Sequence, residues 1–184
     1  MTPTVLTGTD ATGAAFELRA WQVEDAVELT TAVLASLDHL RPWMPWVQDG
    51  YTRASAEQMI AMSVRAREEA TTFTYRLTRP GSDTVLGSVG LHGRVGPGAF
   101  EIGYWVHVDA VRRGLATEAS RLLTHAAFAV PGIERVEIRH DRANVASGAV
   151  PARLGYVLER SERCEIDAPG ECGIRQVWVT HSPA

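Results

Sequence analysis

The stretch from Glu101 to Leu123, EIGYWVHVDAVRRGLATEASRLL, constrains this chain more than any other. Its first part has the aromatic and β-branched composition of a strand. Its second part switches to helical spacing, with Ala119, Leu122, Leu123, Ala126 and Val130 on one apolar face. Only a short loop holding Arg112, Arg113 and Gly114 separates them. A strand that feeds an amphipathic helix so directly buries both on a shared core, which points to a mixed α/β fold.

The flanking segments agree. Residues 1–12, rich in Thr, Gly and Ala, read as a frayed start, and Phe16 to Trp21 as a first strand. Helical spacing then runs from Trp21 to Leu37 through Val23, Ala26, Val27, Leu29, Val33, Leu34 and Leu37. The segment LRPWMPWVQDG, with two prolines, breaks it. A second helix follows from about Ala54 to Ala70 on Ala56, Met59, Ile60, Met62 and Val64. Strands are expected at Thr72–Thr78, Thr84–His92, Ala99–His107 and Arg135–His140, and a helix over Gly114–Ala129. A short helix starts near Asn144, and strands at Tyr156–Cys164 and Gly173–Thr180 form a closing hairpin around Ala168-Pro169-Gly170. The expectation is one domain over 1–184, with a mixed central sheet of about six to seven strands flanked by helices.

Composition excludes several classes. No run approaches the roughly 18 apolar residues of a membrane span. No basic start followed by an apolar stretch suggests a secretory signal, so the cytoplasm is the expected address. Net charge is −4 with no block of like charges, which disfavours nucleic acid as a direct partner. All 18 basic residues are arginine, so any chemistry needing a catalytic lysine is out. The histidines are scattered and neither HExxH nor CxxC occurs, so no metal is expected. Cys164 and Cys172, on either side of the Pro-Gly turn, are read as free thiols, though a hairpin could bring them together.

The loop before the central helix carries the chemistry. The first turn of a helix has N–H groups without intrahelical partners and a partial positive charge. Gly114 and Ala116 leave that entrance bare, and Arg112 and Arg113 add charge beside it. Together they suit a phosphate or pyrophosphate. Glu118, in the same first turn, would oppose an anion if it pointed inward.

EIGYWVHVDAVRRGLATEA resembles the acetyl-CoA-binding motif of the GNAT superfamily of N-acetyltransferases, in its RimJ/RimL-like branch of ribosomal-protein N-terminal acetyltransferases and their relatives. Val111, Arg112, Arg113, Gly114, Leu115 and Ala116 occupy the pattern Gln/Arg-x-x-Gly-x-Gly/Ala, with Val111 as the departure. Asn144-Val145-Ala146-Ser147, followed by Leu154-Gly155-Tyr156, is similar to the family's Asn-x-x-Ser…Leu-Gly-Phe/Tyr motif. Leu40-Arg41-Pro42-Trp43-Met44-Pro45-Trp46 looks like the Pro-Trp loop of that branch.

The resemblance implies the GNAT fold and transfer of an acetyl group from acetyl-CoA to an amine, either a protein N-terminus or a small molecule. It implies that the pyrophosphate rests on the N–H groups of Arg113, Gly114, Leu115, Ala116 and Thr117, beside Arg112. It also implies that the pantetheine arm pairs along Val106, His107 and Val108 like an added strand. Asn144 is expected to contact the cofactor arm and to cap a helix; Ser147 either lies near the sulfur or is simply a first-turn residue. Glu101, on the strand ending at the motif, is either the general base or a solvated strand glutamate, with His92 and His107 as spare acid/base groups. Strict alternation groups Glu101 with Gly103, Trp105 and His107, a parity that a β-bulge would shift. Tyr156 either protonates the leaving thiolate or packs. Trp43 and Trp46 either wall the acceptor site or cap the core. Relatives in this family are often homodimers. Two alternatives remain open: an antibiotic or metabolite acyltransferase using another acyl-CoA such as succinyl-CoA, and a non-catalytic acyl-CoA-binding regulatory module.

Overall fold

The computed structural model describes residues 2–47 and 50–182; Met1, residues 48 and 49 of the Pro-rich loop, and the last two residues lie outside them. Eight strands form one sheet in the order β1-β2-β3-β4-β5-β6-β8-β7. They are β1 (Val5–Thr9), β2 (Ala15–Ala20), β3 (Thr72–Thr78), β4 (Gly87–His92), β5 (Ala99–Val106), β6 (Arg135–Asp141), β7 (Val157–Arg163) and β8 (Ile174–His181). The helices are α1 (Ala26–Ala35), α2 (Leu37–Leu40), α3 (Arg53–Glu68), α4 (Leu115–Phe128) and α5 (Val145–Arg153).

The sheet has one strand more than the sequence suggests, and it comes from the segment expected to fray. Val5–Thr9 pairs antiparallel with β2, from Val5 opposite Arg19 to Thr9 opposite Ala15. Gly8 permits the packing: a Cβ there would lie 2.8 Å from the Phe16 ring and 3.1 Å from Leu122. The expected first helix also differs. A 3-10 turn at Val23–Asp25 precedes α1, and the helix breaks at Ser36. Ala26, Leu29 and Val33 are buried, but Val23, Val27 and Leu34 face outward. On α3, Ala56 and Ile60 are buried while Met62 is exposed.

Two apolar layers cover the two faces of the sheet. Phe100 and Ile102 of β5 join Leu115, Ala119, Leu123 and Ala127 of α4 in one cluster. Trp105 joins Leu29 and Val33 of α1 and Ile60 of α3 in the other. β4 and β5 pair without a register shift from Gly87 opposite Val106 to His92 opposite Glu101. With no bulge in this pairing, strict alternation holds along β5.

The sheet splits in the middle. β5 and β6 are its parallel pair, and their pairing ends at Ile102 opposite Ile138. Beyond it β5 continues with β4 to Val106, while β6 continues with β8 to Asp141. The strands diverge there and leave a wedge.

Candidate active site

The N-terminus of α4 points into this wedge. Gly114 caps it with φ +75°, a left-handed conformation that side-chain-bearing residues resist. The first intrahelical bond runs from Glu118 N–H to the Gly114 carbonyl, which leaves the N–H groups of Leu115, Ala116 and Thr117 without helical partners. Arg112, itself at φ +60°, lines the cavity in front of the helix; this cavity measures about 720 Å³. Glu118 also lines this cavity, and its carboxylate accepts from Arg121 Nε at 2.8 Å, which offsets part of its negative charge.

Ala11 forms part of the same wall. Its N–H donates to the Arg113 carbonyl at 2.9 Å, and a Cβ on Gly114 would lie 2.8 Å from its own. The turn between β1 and β2 that holds Ala11 is built on Asp10. Its carboxylate accepts from Thr12 N–H, Thr12 Oγ1, Ala14 N–H and Arg79 Nη2 at 2.5–3.2 Å. Burial pushes the Asp10 carboxyl up, but the hydrogen bonds from Thr12, Arg79 and Ala14 outweigh it and hold the group well below the usual carboxylate range.

Along β5, His107 N–H donates to the Leu86 carbonyl at 2.9 Å. Antiparallel alternation then turns the main-chain groups of Tyr104 and Val106 away from β4, toward the side from which β6 has departed. They are free to pair with an extended ligand.

At the end of the wedge, Tyr104 Oη donates to the Ser147 carbonyl at 2.9 Å and lies 3.1 Å from Ser147 Oγ. Asn144 Oδ1 accepts from Ser147 N–H at 3.1 Å and caps α5. Burial pushes the Tyr104 hydroxyl above its ordinary range, and Ser147 only partly offsets this. It therefore keeps its proton across the physiological range.

A second cavity of about 850 Å³ opens on the other face of the sheet. Trp21, Trp46, Met59 and Met62 contribute to its walls. Trp46 lies 6.3 Å from the ring of Trp105. Its polar side holds His92, Arg94, Glu101 and Arg139. The Pro-rich loop meets the β7–β8 connection, with Gly170 N–H donating to the Pro42 carbonyl at 2.9 Å. Both cavities are lined by Trp43, Met44, Tyr104, Trp105, Asn144 and Ser147, so they meet through the split sheet.

Two chambers joined at a hydroxyl pair, one with an anion-binding helix start, suit transfer of a group from a phosphate-bearing donor to a separate acceptor. Residues 16–157 match the family model described as an acetyltransferase (GNAT) domain. The chain belongs to the GNAT acetyltransferases, and it is an acyltransferase.

Solved structures share its fold. RimJ of Mycobacterium smegmatis, in complex with a CoA disulfide, superposes with a TM-score of 0.85 at 20% identity, over 98% of this chain and 88% of that one. The Salmonella typhimurium acetyltransferase that modifies the N-terminal serine of ribosomal protein L7/L12 gives 0.78 at 19% identity, over 91% and 95%. The microcin C7 self-immunity acetyltransferase MccE, with acetyl-CoA and AMP, gives 0.82 at 17% identity, over 91% and 92%. No curated protein sequence matches the chain significantly.

Within this acetyltransferase, Gly114, Leu115, Ala116, Thr117, Arg112 and Val106 line the first cavity with Asn144 and Ser147. Trp43 and Trp46 line the second with Glu101. Other expected residues are placed elsewhere. The Arg113 side chain turns back to the Asp109 carbonyl at 2.8 Å. β5 ends at Val106, and a 3-10 turn at Val108–Ala110 replaces a strand continuation. In that turn His107 Nδ1 accepts from Asp109 N–H and Val108 N–H donates to Ser36 Oγ, so neither residue lines either cavity.

Tyr156 is the main correction. It is buried in the core between α4 and the sheet, its hydroxyl 2.7 Å from Thr124 Oγ1, and it lines neither cavity. Burial pushes its hydroxyl up to about 12. Tyr104 occupies the position at the junction instead. Its signal in the sequence is alternation, which sets it opposite Glu101 on the strand entering the phosphate loop; Ala11 carries no such signal.

Glu101 faces the second cavity but is 7% exposed. Arg94 grips both its oxygens, Nε at 3.0 Å and Nη2 at 2.6 Å, and Arg139 Nε stands 4.0 Å away. It is a buried, paired carboxylate rather than a solvated one. Among the described residues, no group of three or more His, Cys, Asp or Glu could hold a metal ion, and no helix is long and apolar enough to cross a membrane.

Proposed function

We propose that this enzyme binds acetyl-CoA in the cavity before α4 and a primary amine in the cavity beneath the Pro-Trp loop, and joins them in one ternary complex. The observation that carries this reading is the meeting of the two cavities at Tyr104 and Ser147. The first cavity fits the cofactor. The N–H groups of Leu115, Ala116 and Thr117, with Arg112, hold the pyrophosphate, because the left-handed turn at Gly114 starts α4 at the cavity wall. Tyr104 and Val106 pair with the pantetheine arm through their main chain, and Asn144 flanks it.

Bound acetyl-CoA supplies an activated thioester carbonyl. Around it, Trp43 and Trp105 exclude water, and the paired walls hold amine and carbonyl in line, which contributes much of the rate. Tyr104, hydrogen-bonded to Ser147, donates the proton that the departing thiolate needs. The neighbours support the acceptor class: one modifies the N-terminal serine of a ribosomal protein, and another is a microcin C7 self-immunity acetyltransferase. A free α-amino group or a small primary amine is the acceptor here.

Free-thiol release from acetyl-CoA tests this, with serine- and alanine-initiated hexapeptides and 2-phenylethylamine as acceptors. Amine-dependent release is expected. No release with any acceptor, together with no thermal stabilisation by acetyl-CoA, would remove the proposal.

A further inference from the structure

Building on the ternary-complex reading, we propose that His92 is the catalytic residue that takes the proton from the acceptor amine, with the Glu101–Arg94 pair acting as a positioning device beside it. The argument starts from the two candidates on the polar face of the acceptor cavity. Glu101 has both oxygens held, because one guanidinium spans them at 2.6–3.0 Å. A carboxylate so engaged loses its ion pair with Arg94 when it takes a proton, which costs two charge-assisted hydrogen bonds.

His92 stands directly opposite Glu101 in the β4–β5 register. Among the described residues, no group hydrogen-bonds either of its ring nitrogens. Its imidazole lies over two glycines: a Cβ on Gly90 would be 3.1 Å from His92 Nε2, and one on Gly103 would be 3.3 Å away. Those glycines face each other across the strands, and the next residue on that face of β5 is Trp105, which lines both cavities. The ring thus leans along bare backbone toward the junction, with Nε2 leading. The groups around it are Thr72 and Thr74 on β3, Glu101 on β5, Arg139 on β6 and Arg94 from the connection after β4. Burial, reinforced by Arg94 and opposed by Glu101, pushes the imidazole down to about 4, so it is unprotonated in neutral solution.

The step balances. The amine nitrogen forms a bond to the acetyl carbonyl carbon, and the carbon–sulfur bond breaks with its electron pair on sulfur. One proton leaves the nitrogen for His92 Nε2, and one reaches sulfur from the Tyr104–Ser147 hydroxyls. Solvent takes the first proton from His92 and resupplies the second to the hydroxyls, so the net change moves one hydrogen from amine to thiol.

The test compares wild type, His92→Ala, His92→Gln and Glu101→Gln with acetyl-CoA and 2-phenylethylamine or the serine-initiated hexapeptide. For both His92 variants kcat is expected to fall about 10²- to 10⁴-fold at unchanged acetyl-CoA affinity. Added imidazole should restore part of the rate in His92→Ala, which a purely structural role would not allow. His92→Gln, closer in size, decides the matter if His92→Ala fails to fold. His92 variants at the wild-type rate would overturn the assignment while leaving acetyl transfer intact. Glu101→Gln inactive beside a fully active His92→Gln would return the role to Glu101. A wild-type protein that releases no thiol with either acceptor and gains no thermal stability from acetyl-CoA would overturn the ternary-complex reading and this inference with it.

Discussion

Replacing Gly114 by valine tests the phosphate loop at its most constrained point. Gly114 sits at φ +75°, and a side chain in that region costs about 1–2 kcal/mol. Its Cβ would also lie 2.8 Å from Ala11 Cβ and 3.3 Å from Ala11 N, and overpacking of that kind costs about 1–3 kcal/mol. The sum, about 2–5 kcal/mol, is a large share of the stability of an ordinary domain. At about 2–4 °C per kcal/mol for a chain of this size, Tm falls by roughly 4–20 °C. Binding separates from folding in the same assay. Acetyl-CoA at about 100 times its Kd adds about 2.7 kcal/mol to the wild type, a shift of roughly 5–11 °C. Gly114→Val should lose most of that shift, since relieving the clash with Ala11 displaces the N–H groups at the head of α4. Ala11→Gly in a Gly114→Ala background should recover the packing part of the loss and leave the backbone part. A variant with wild-type Tm and a full acetyl-CoA shift would refute both the strain and the phosphate site.

Tyr104→Phe removes the hydroxyl at Ser147, so kcat should fall about a hundredfold with little change in acetyl-CoA affinity; an unchanged kcat would take Tyr104 out of the proton path. Trp46→Ala opens the wall of the acceptor cavity and removes an aromatic contact with Trp105 worth about 0.5–1.5 kcal/mol. Its acceptor KM should rise several-fold while the KM for acetyl-CoA stays put, and equal rises in both would refute separate chambers. Acid should destabilise the fold. Burial holds His140 below its ordinary value, and its ring lies between the Asp141 carbonyl at Nδ1 and the Trp178 indole N–H, which donates to Nε2 at 3.0 Å. The unfolded chain takes up that proton near pH 6.5 and the folded chain only at lower pH, so stability falls as pH drops through about 6.5. Urea midpoints between pH 7.5 and 5 measure this, and His140→Gln should flatten the decline; an identical slope would refute the assignment.

Much of the fold is legible in local spacing. The strand at Thr72–Thr78 and the helix after Gly114 follow from period and punctuation alone, because each is decided by residues within a few positions of one another. The phosphate loop is legible for the same reason: unpaired N–H groups are a property of any helix start, and Gly114 announces that this one is left bare. Where the pattern misleads, a distant partner has overruled it. Val23, Val27 and Leu34 satisfy a helical stripe, yet the 3-10 turn leaves Val23 exposed and α1 turns Val27 and Leu34 outward to seat Leu29 and Val33 on the core.

The amino-acid sequence by itself determined the α/β alternation, the anion-binding helix start, and the parity that sets Glu101 and Tyr104 on opposite faces of one strand. Only the tertiary structure decided which groups meet. It set Ala11 against Gly114 across more than half the chain, closed Arg94 on Glu101, left the His92 ring without a hydrogen-bond partner among the described residues and carried Tyr156 into the core while Tyr104 took the junction. The physical reason is that covalent neighbours and backbone periodicity act over a few residues, whereas these contacts depend on the order and divergence of strands. Where β5 and β6 part is set by the packing of both layers at once, and that split creates the site.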